Sequence, residues 1–274
     1  MRKLGIIAGG GVLPRRLADT HLEAGGGVFM IAFEGITPDE TVEGLDHAWV
    51  RLGRIQDTMD AMIGAGVEDV VMAGPIKRPA LSSLDIDGRG AKLLFRAGRK
   101  AFGDDGLLSV LVAEIESDGL KVIAVDQILG GVLAGSGPIA GPEPDEAAWS
   151  DIQRGMDVLK HLGPVDVGQA IVVQEGLVLA VEAIEGTDAM IERAGDLARD
   201  GAGPILVKIS KPGQERRADM PTVGPDTVSN ASAAGFRGIA VEAGSTLLLD
   251  LDQVRFLAEE AGLFVAGVDT RAST

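Results

Sequence analysis

The chain has 274 residues, enough for about two domains of roughly 150 residues each. Hydrophobic residues make up 46% and charged residues 24%, which excludes a disordered or low-complexity protein. The formal charge of −16 argues against a nucleic-acid-coating protein, so we expect no nucleic-acid partner. The absence of cysteine excludes disulfides, thiolate zinc sites, iron–sulfur clusters and a cysteine nucleophile.

The sequence favours a cytoplasmic protein. Its first residues carry a basic tip, but only residues 4–8 form an apolar run before glycines intervene, which is too short for a signal-peptide core. The most apolar segment, residues 171–184, is interrupted by Gln174, Glu175 and Glu182. We therefore expect no membrane-spanning helix.

The first half of the chain alternates short apolar runs with helical patterns. Strands are predicted at residues 4–8, 28–33, 67–73 and 121–125. Apolar residues at helical spacing begin at Leu13, at Ile55 and at Leu107. This alternation predicts a mostly parallel sheet covered by helices.

A stretch rich in glycine, proline and acidic residues interrupts this pattern at residues 134–148, where no helix or strand is expected. We predict a first domain at 1–133, a linker at 134–148 and a second domain at 149–274. The second domain should open with a helix from Trp149 and a hairpin around residues 174–176. Further helices are predicted at 187–199, 226–234 and 252–261, with strands at 205–209, 238–241, 246–249 and 263–268.

Three glycines, Gly9, Gly10 and Gly11, join the first strand to the first helix. Such glycines let backbone N–H groups approach a phosphate at the positive end of a helix. A nicotinamide dinucleotide is a second interpretation, because Glu34 follows the second strand where a ribose-binding acid would lie, although Pro14 stands where that fingerprint has glycine. A tight structural turn without a ligand is the third.

Two adjacent acids, Asp104 and Asp105, open a predicted helix at residues 107–117. Paired carboxylates can hold Mg²⁺ together with phosphates and water. Helix capping is the alternative, since aspartate is favoured at the start of a helix.

Four basic residues lie among two acidic ones in the stretch 208–224, within a strongly acidic chain. These cations are Lys208, Lys211, Arg216 and Arg217. They predict contacts to a phosphorylated ligand, whereas a solvated loop with surface ion pairs is the alternative. Asp219 is expected to remain ionised beside them and could orient a metal ion or a water molecule.

A second basic stretch, residues 77–100, has seven basic and two acidic residues. A helix with cations on one face could meet a phosphate head group or the cytoplasmic leaflet, and a plain solvated helix is the alternative. The three histidines, His21, His47 and His161, lie far apart in the sequence and receive no role.

The motifs together resemble those of the LpxI-type UDP-2,3-diacylglucosamine pyrophosphatases of lipid A biosynthesis. The resemblance runs nearly end to end, and its most specific blocks are GLVLAVEAIEGTDAMI and DMPTVG. The matching segments are residues 7–14, 72–79, 102–108, 176–191, 208–224 and 238–250. Met220 and Val223 depart from the usual Leu and Ile of the family, and Glu215 departs from an often seen Asp.

The resemblance implies an α/β protein with a Rossmann-like N-terminal domain, a second mixed α/β domain and a substrate cleft between them. It also implies Mg²⁺-dependent hydrolysis of UDP-2,3-diacylglucosamine to UMP and 2,3-diacylglucosamine 1-phosphate, with water attacking the sugar-side phosphorus. The family's key aspartate falls on Asp219.

Residues and resemblance give one hypothesis for the site. Asp219 is the catalytic and metal-binding residue, with Asp104 and Asp105 as further metal ligands. Substrate and phosphate contacts are assigned to Gly9, Gly10, Gly11, Lys208, Lys211, Arg216, Arg217 and Thr222. A homodimer and peripheral contact with the inner membrane are further expectations. An NAD(P)-dependent oxidoreductase and a non-catalytic nucleotide-sugar or lipid-binding protein are the alternatives.

Overall fold

The computed structural model describes residues 1–76, 84–98, 104–129, 133–211 and 215–270. The chain forms two compact units. The N-terminal unit contains residues 1–130 and also residues 215–219, which come from the second half of the sequence. The C-terminal unit contains residues 131–214 and 220–274.

The N-terminal unit is built on a five-stranded sheet in which every neighbouring pair is parallel. Its strands are β1 (Leu4–Ala8), β2 (Val28–Phe33), β3 (His47–Val50), β4 (Asp69–Ala73) and β5 (Lys121–Val122). The spatial order β3-β2-β1-β4-β5 is that of the first five strands of an open Rossmann sheet, so the Rossmann-like prediction is confirmed. The sequence patterns did not predict the edge strand β3.

Helices pack against this sheet and supply most of the remaining core. They are α1 (Leu13–Glu23), α2 (Asp39–Val42), α3 (Ile55–Gly64), α4 (Gly88–Ala97), α5 (Asp104–Ser117) and α6 (Asp126–Leu129). Met59 and Met62 of α3 and Ile115 of α5 are buried against strand residues such as Ile7 and Ile31. The helix α4 begins after Asp87, whose side chain accepts a hydrogen bond from the Gly90 N–H.

The C-terminal unit has a six-stranded mixed sheet in the order β6-β13-β11-β9-β7-β8 and a separate two-stranded parallel sheet, β10-β12. The strands are β6 (Gly137–Ala140), β7 (Ala170–Gln174), β8 (Leu177–Val181), β9 (Ile205–Lys208), β10 (Thr222–Val223), β11 (Gly238–Glu242), β12 (Leu247–Leu248) and β13 (Phe264–Val268). The central strands β9, β11 and β13 are parallel, and antiparallel strands flank them. The predicted hairpin is confirmed as β7 and β8.

Helices cover both faces of the six-stranded sheet, as the alternation of strand residues requires. They are α7 (Glu146–Leu162), α8 (Thr187–Gly195), α9 (Pro225–Ala233) and α10 (Leu251–Ala261). Ile171 and Val207 pack with α7 residues in one cluster, whereas Val172 and Leu206 pack in the cluster that contains residues of α8, α9 and α10. None of the helices within the described part of the chain is both long and apolar enough to cross a bilayer.

The expectation that residues 134–148 contain no helix or strand is wrong. The strand β6 lies in this stretch and pairs with β13, and α7 already begins at Glu146. The Asp145 side chain accepts a hydrogen bond from the Ala148 N–H and caps that helix. Glycine and proline content indicated a loop here, but pairing with a buried neighbouring strand outweighs local propensity.

Candidate active site

The glycine loop between β1 and α1 is packed against the loop that follows β4. The Gly9 N–H donates to the Ala73 carbonyl at 2.8 Å and the Gly10 N–H donates to the Pro75 carbonyl at 2.9 Å. A Cβ atom on Gly9 would lie 2.4 Å from the Gly74 carbonyl oxygen. Two of the three loop N–H groups are therefore engaged by the protein itself, and the requirement for glycine at Gly9 comes from close backbone contact.

The third glycine, Gly11, has a φ of +72° and lies at the entrance to α1. This helix starts without a side-chain cap and without an acid in its first turn. A groove of about 540 Å³ runs along it, and its charged lining residues are Arg15, Arg16, Asp19, Glu23 and Glu40. Arg15 pairs with Asp19, so the groove is not a cationic pocket, and a phosphate contact at Gly11 stays a prediction.

Asp219 closes a short turn that belongs to the N-terminal unit. The N–H groups of Ala218 and Asp219 each donate to the Glu215 carbonyl at 2.9 Å. Ala218 packs against the apolar core of the N-terminal unit. Asp219 is half-buried. Backbone hydrogen bonds and the packing of Ala218 together fix the backbone of the turn that carries it.

An arginine connects this turn to α5. The Arg217 guanidinium donates to both carboxylate oxygens of Glu215 at 2.8 Å and to Glu116 of α5 at 2.8 Å. The hydrogen bond from Arg217 lowers the pKa of Glu215 below its ordinary value, and Glu215 raises the pKa of Arg217. Arg217, a predicted phosphate contact, therefore holds the turn that bears Asp219, while its neighbour Arg216 is exposed.

The predicted phosphate contacts Lys208, Lys211 and Thr222 lie in the C-terminal unit. Lys211 forms an ion pair with Asp166. The Lys208 ammonium donates to the Thr187 hydroxyl at 3.0 Å and to the Thr222 carbonyl at 3.2 Å. The Thr222 hydroxyl donates to the Met220 carbonyl at 3.0 Å. The structure thus brings Lys208 and Thr222 together.

The acid pair predicted as a metal site lies at the start of α5, but the side chains of Asp104 and Asp105 fall outside the described residues. Among the side chains that the structure describes, no three histidine, aspartate or glutamate residues form a metal-binding group. Mg²⁺ commonly uses only one or two carboxylates together with substrate phosphates and water. Metal binding by Asp219 therefore stays a prediction.

The basic stretch 77–100 is largely paired where it is described. Arg89 of α4 donates to Glu114 and to Asp118 at 2.7 Å each, and Arg96 also pairs with Glu114. The hydrogen bond from Arg89 lowers the pKa of Asp118. Four further cations, Lys77, Arg78, Arg99 and Lys100, lie outside the described residues. Ion pairs therefore hold α4 to α5, and neither alternative for this stretch is settled by them.

Sequence patterns missed the carboxylates and hydroxyl that hold the predicted cations. Glu116, Asp166 and Thr187 supply these contacts, and Glu182 accepts a hydrogen bond from the Thr187 hydroxyl. Glu182 carried one signal in the sequence, because it is an acid directly after an apolar strand. The structure shows that this acid is buried, which is unusual for a glutamate. The other three lie in ordinary polar surroundings in the sequence, and only the fold brings them to their partners.

Comparison with known proteins gives two family models and one curated relative. The model of the LpxI N-terminal domain matches residues 3–139, and that of the LpxI C-terminal domain matches residues 135–266. The relative is the UDP-2,3-diacylglucosamine pyrophosphatase LpxI of Caulobacter vibrioides, 40% identical over 98% of each chain. A solved N5-carboxyaminoimidazole synthase of Aspergillus clavatus matches 73% of this chain and 44% of its own, with 13% identity and a TM-score of 0.24, too low to indicate a common fold.

Proposed function

The chain belongs to the LpxI family of UDP-2,3-diacylglucosamine pyrophosphatases, and we propose that it hydrolyses UDP-2,3-diacylglucosamine to UMP and 2,3-diacylglucosamine 1-phosphate. The observation that carries this proposal is the 40% identity with the Caulobacter vibrioides enzyme over 98% of both chains. An end-to-end match of this kind includes both domains and the 208–224 stretch that bears Asp219.

In the proposed reaction, the oxygen of water attacks the sugar-side phosphorus and forms a new P–O bond. The bond from that phosphorus to the bridging oxygen breaks, and UMP departs with the bridging oxygen. Little covalent chemistry falls to the protein, so catalysis depends on positioning and on neutralising phosphate charge. We assign Asp219 the role of positioning the water or the metal ion.

We also propose that the reaction depends on Mg²⁺ held by Asp219, with Asp104 and Asp105 as further ligands. When bound, Mg²⁺ would neutralise charge on the phosphate oxygens. The turn of residues 215–219 supports the role of Asp219, because its backbone hydrogen bonds and the Arg217 ion pairs fix the position of the aspartate backbone. A turn whose backbone is already fixed loses little entropy when a side chain that it carries binds a ligand.

The four basic residues proposed to contact phosphate differ in the protein groups that they already bind. Lys208 makes two hydrogen bonds within the described part of the chain, and an ammonium has three N–H groups, so one is left there for a phosphate oxygen. Arg216 is exposed. Arg217 and Lys211 would have to exchange a carboxylate partner for phosphate. Lys208 is therefore the stronger assignment.

A nicotinamide-dependent oxidoreductase is less well supported. Glu34, the acid that would bind a ribose, accepts a hydrogen bond from Arg51 at 3.1 Å. Gly9 and Gly10 direct their N–H groups to the neighbouring loop. The parallel strand order alone is shared by many proteins of unrelated function.

One assay separates the candidate functions. The protein is incubated with UDP-2,3-diacylglucosamine and Mg²⁺, with and without a chelator, and UMP is measured. We expect UMP only when Mg²⁺ is free, and phosphorus NMR in ¹⁸O-labelled water should place the label on the sugar 1-phosphate. Binding without UMP would indicate a nucleotide-sugar-binding protein, and thermal stabilisation by NAD or NADP alone would indicate an oxidoreductase.

A cytoplasmic location, contact with the inner membrane and a homodimer also belong to this proposal. The acylated substrate requires access to a lipid phase. One feature suits such contact, since Phe95 on α4 is 87% exposed and lies between the exposed Lys92 and Arg96. An exposed apolar side chain on a helix that carries cations can insert at a membrane interface.

A further inference from the structure

A chain of polar groups crosses the interior of the C-terminal unit. The Lys208 ammonium donates to the Thr187 hydroxyl at 3.0 Å, and that hydroxyl donates to a Glu182 carboxylate oxygen at 2.6 Å. Both charged side chains are 7% exposed. Buried charges of this kind are retained only when hydrogen bonds compensate the lost hydration.

The Thr187 hydroxyl lies between the two charged groups and determines which group donates and which accepts each hydrogen bond. A threonine hydroxyl has one proton and two lone pairs. The proton is directed to the Glu182 carboxylate, so the lone pairs of the oxygen are left for the N–H of Lys208. Glu182 and Lys208 make no direct ion pair. Thr187 therefore links the Glu182 carboxylate to the Lys208 ammonium through two hydrogen bonds.

The fold holds the carboxylate end of this chain rigidly. The second carboxylate oxygen of Glu182 accepts from the Gln169 N–H at 2.9 Å, and the Glu182 N–H donates to the Ala170 carbonyl at 2.9 Å. Ala170 is paired in register with Lys208 across β7 and β9. A Cβ atom on Gly168 would lie 2.1 Å from the Glu182 carbonyl oxygen, so the neighbouring backbone closes around it.

The Lys208 ammonium, at one end of these linked polar groups, also contacts the segment that follows Asp219 in the sequence. Lys208 donates its second hydrogen bond to the carbonyl of Thr222, which is three residues after Asp219. Among the described residues, no acceptor is found for its third N–H. Lys208 is thus oriented on two sides and has one N–H remaining for an anionic oxygen.

We propose that Glu182 and Thr187 are positioning residues for the hydrolysis, which hold the ammonium of Lys208 in the orientation that presents one N–H to a phosphate oxygen of the substrate. This inference rests on the proposed function and deepens it. Neither residue touches the substrate in this assignment. Both act through Lys208 and through the Thr222 carbonyl that Lys208 binds.

The test compares two threonine-to-valine substitutions of the same size. Thr187→Val removes the bridging hydroxyl, and Thr227→Val, in α9, removes a half-buried hydroxyl that makes no hydrogen bond to any described residue. Steady-state UMP release is measured with each purified protein, together with its melting temperature. We expect Thr187→Val to lower kcat at least about tenfold while KM changes less than about threefold, because the misplaced cation stabilises developing charge less well.

Rescue distinguishes positioning from a merely structural role. Thr187→Ser keeps the hydroxyl and should retain kcat within about threefold of the wild type, and Thr227→Val should match the wild type. If Thr187→Val does not fold, Glu182→Gln provides the second readout, since it keeps the shape of the chain and removes its negative charge. It should also lower kcat and leave KM nearly unchanged.

The outcomes separate the inference from the function it rests on. Wild-type protein that releases no UMP overturns both. Active wild-type protein with a Thr187→Val kcat equal to that of Thr227→Val overturns the positioning role alone, whatever the melting temperatures. A folded Glu182→Gln protein with unchanged kcat does the same when Thr187→Val cannot be purified.

Discussion

The three glycines after β1 differ in how much room surrounds them. A Cβ atom added to Gly9 would lie 2.4 Å from a backbone oxygen, whereas a Cβ atom added to Gly10 would lie 3.6 Å from its nearest neighbouring atom. Gly11 has a left-handed φ, which disfavours any side chain. Loop packing therefore explains the first glycine and backbone conformation the third.

This difference gives a matched pair of substitutions. Gly9→Ala should lower the free energy of unfolding by about 1–3 kcal/mol, because the backbone of the neighbouring loop must move. Gly10→Ala should change it by no more than about 0.5 kcal/mol. Urea unfolding of the two proteins measures both values. Equal losses would show that the two loops do not pack as the structure has them.

Residue types predict where charged groups concentrate along the chain, but they do not predict the partner of each residue. The cations of the 208–224 stretch were recognisable from local charge, since they stand out in an acidic chain. That Arg217 is engaged by Glu116, about a hundred positions earlier, could not be predicted, because only the fold brings the two together. The phosphate contacts of Lys211 and Arg217 remain predictions that the assay of each variant must test.

At the scale of elements, α5 carries two acids that serve different purposes. Glu114 is 9% exposed and receives both Arg89 and Arg96 of α4. Glu116, two residues on, points to a different partner and binds Arg217 in the turn of Asp219. One acid therefore joins two helices, and the other joins the helix to the proposed site.

We predict that the two acids separate stability from activity. Glu114→Gln should lower the free energy of unfolding by about 1–3 kcal/mol, because two arginines lose a largely buried ionic partner. The kcat of the folded protein should not change. Glu116→Gln should cost less than about 1 kcal/mol at its more exposed site.

The second half of this prediction concerns the rate. Loss of the Arg217 anchor in Glu116→Gln should lower kcat by a factor of about three to ten, since small displacements of catalytic groups are costly. Denaturant unfolding and steady-state UMP release are measured on the same preparations. A Glu114→Gln protein with the unfolding free energy of the wild type, or a Glu116→Gln protein with the wild-type kcat, would contradict these roles of the two glutamates.

Strands buried on both faces were the elements most readily predicted from sequence. The bounds of β1 and β2 agree with the predicted ones because continuous apolar runs mark buried parallel strands. The edge strands β3 and β6 were missed. Their sequences, HAWV and GPIA, have no such run, and they are defined by pairing with a neighbour.

At the scale of the whole molecule, the charge of −16 opposes binding to an anionic membrane. Membrane contact must then rely on a local apolar feature, for which the exposed Phe95 is our candidate. Phe256 on α10, 57% exposed, offers a matched control on an acidic helix.

Vesicle flotation tests this proposal. We expect Phe95→Ser to reduce the fraction of protein bound to phosphatidylethanolamine and phosphatidylglycerol vesicles at least about fivefold, because a buried phenylalanine contributes about 1.5–3 kcal/mol. Phe256→Ser should leave the bound fraction unchanged. Equal binding of both variants would remove Phe95 from the membrane contact.

The most direct test of the central claim compares UMP release by Asp219→Ala with that by Asp226→Ala. Asp226 is an exposed acid in the first turn of α9 and has no assigned role. With UDP-2,3-diacylglucosamine and Mg²⁺, Asp219→Ala should lose activity at least about a hundredfold with an unchanged melting temperature, as expected when a group that acts in the transition state is removed. Asp226→Ala should retain the wild-type rate. A well-folded Asp219→Ala protein that releases UMP at nearly the wild-type rate would contradict the account.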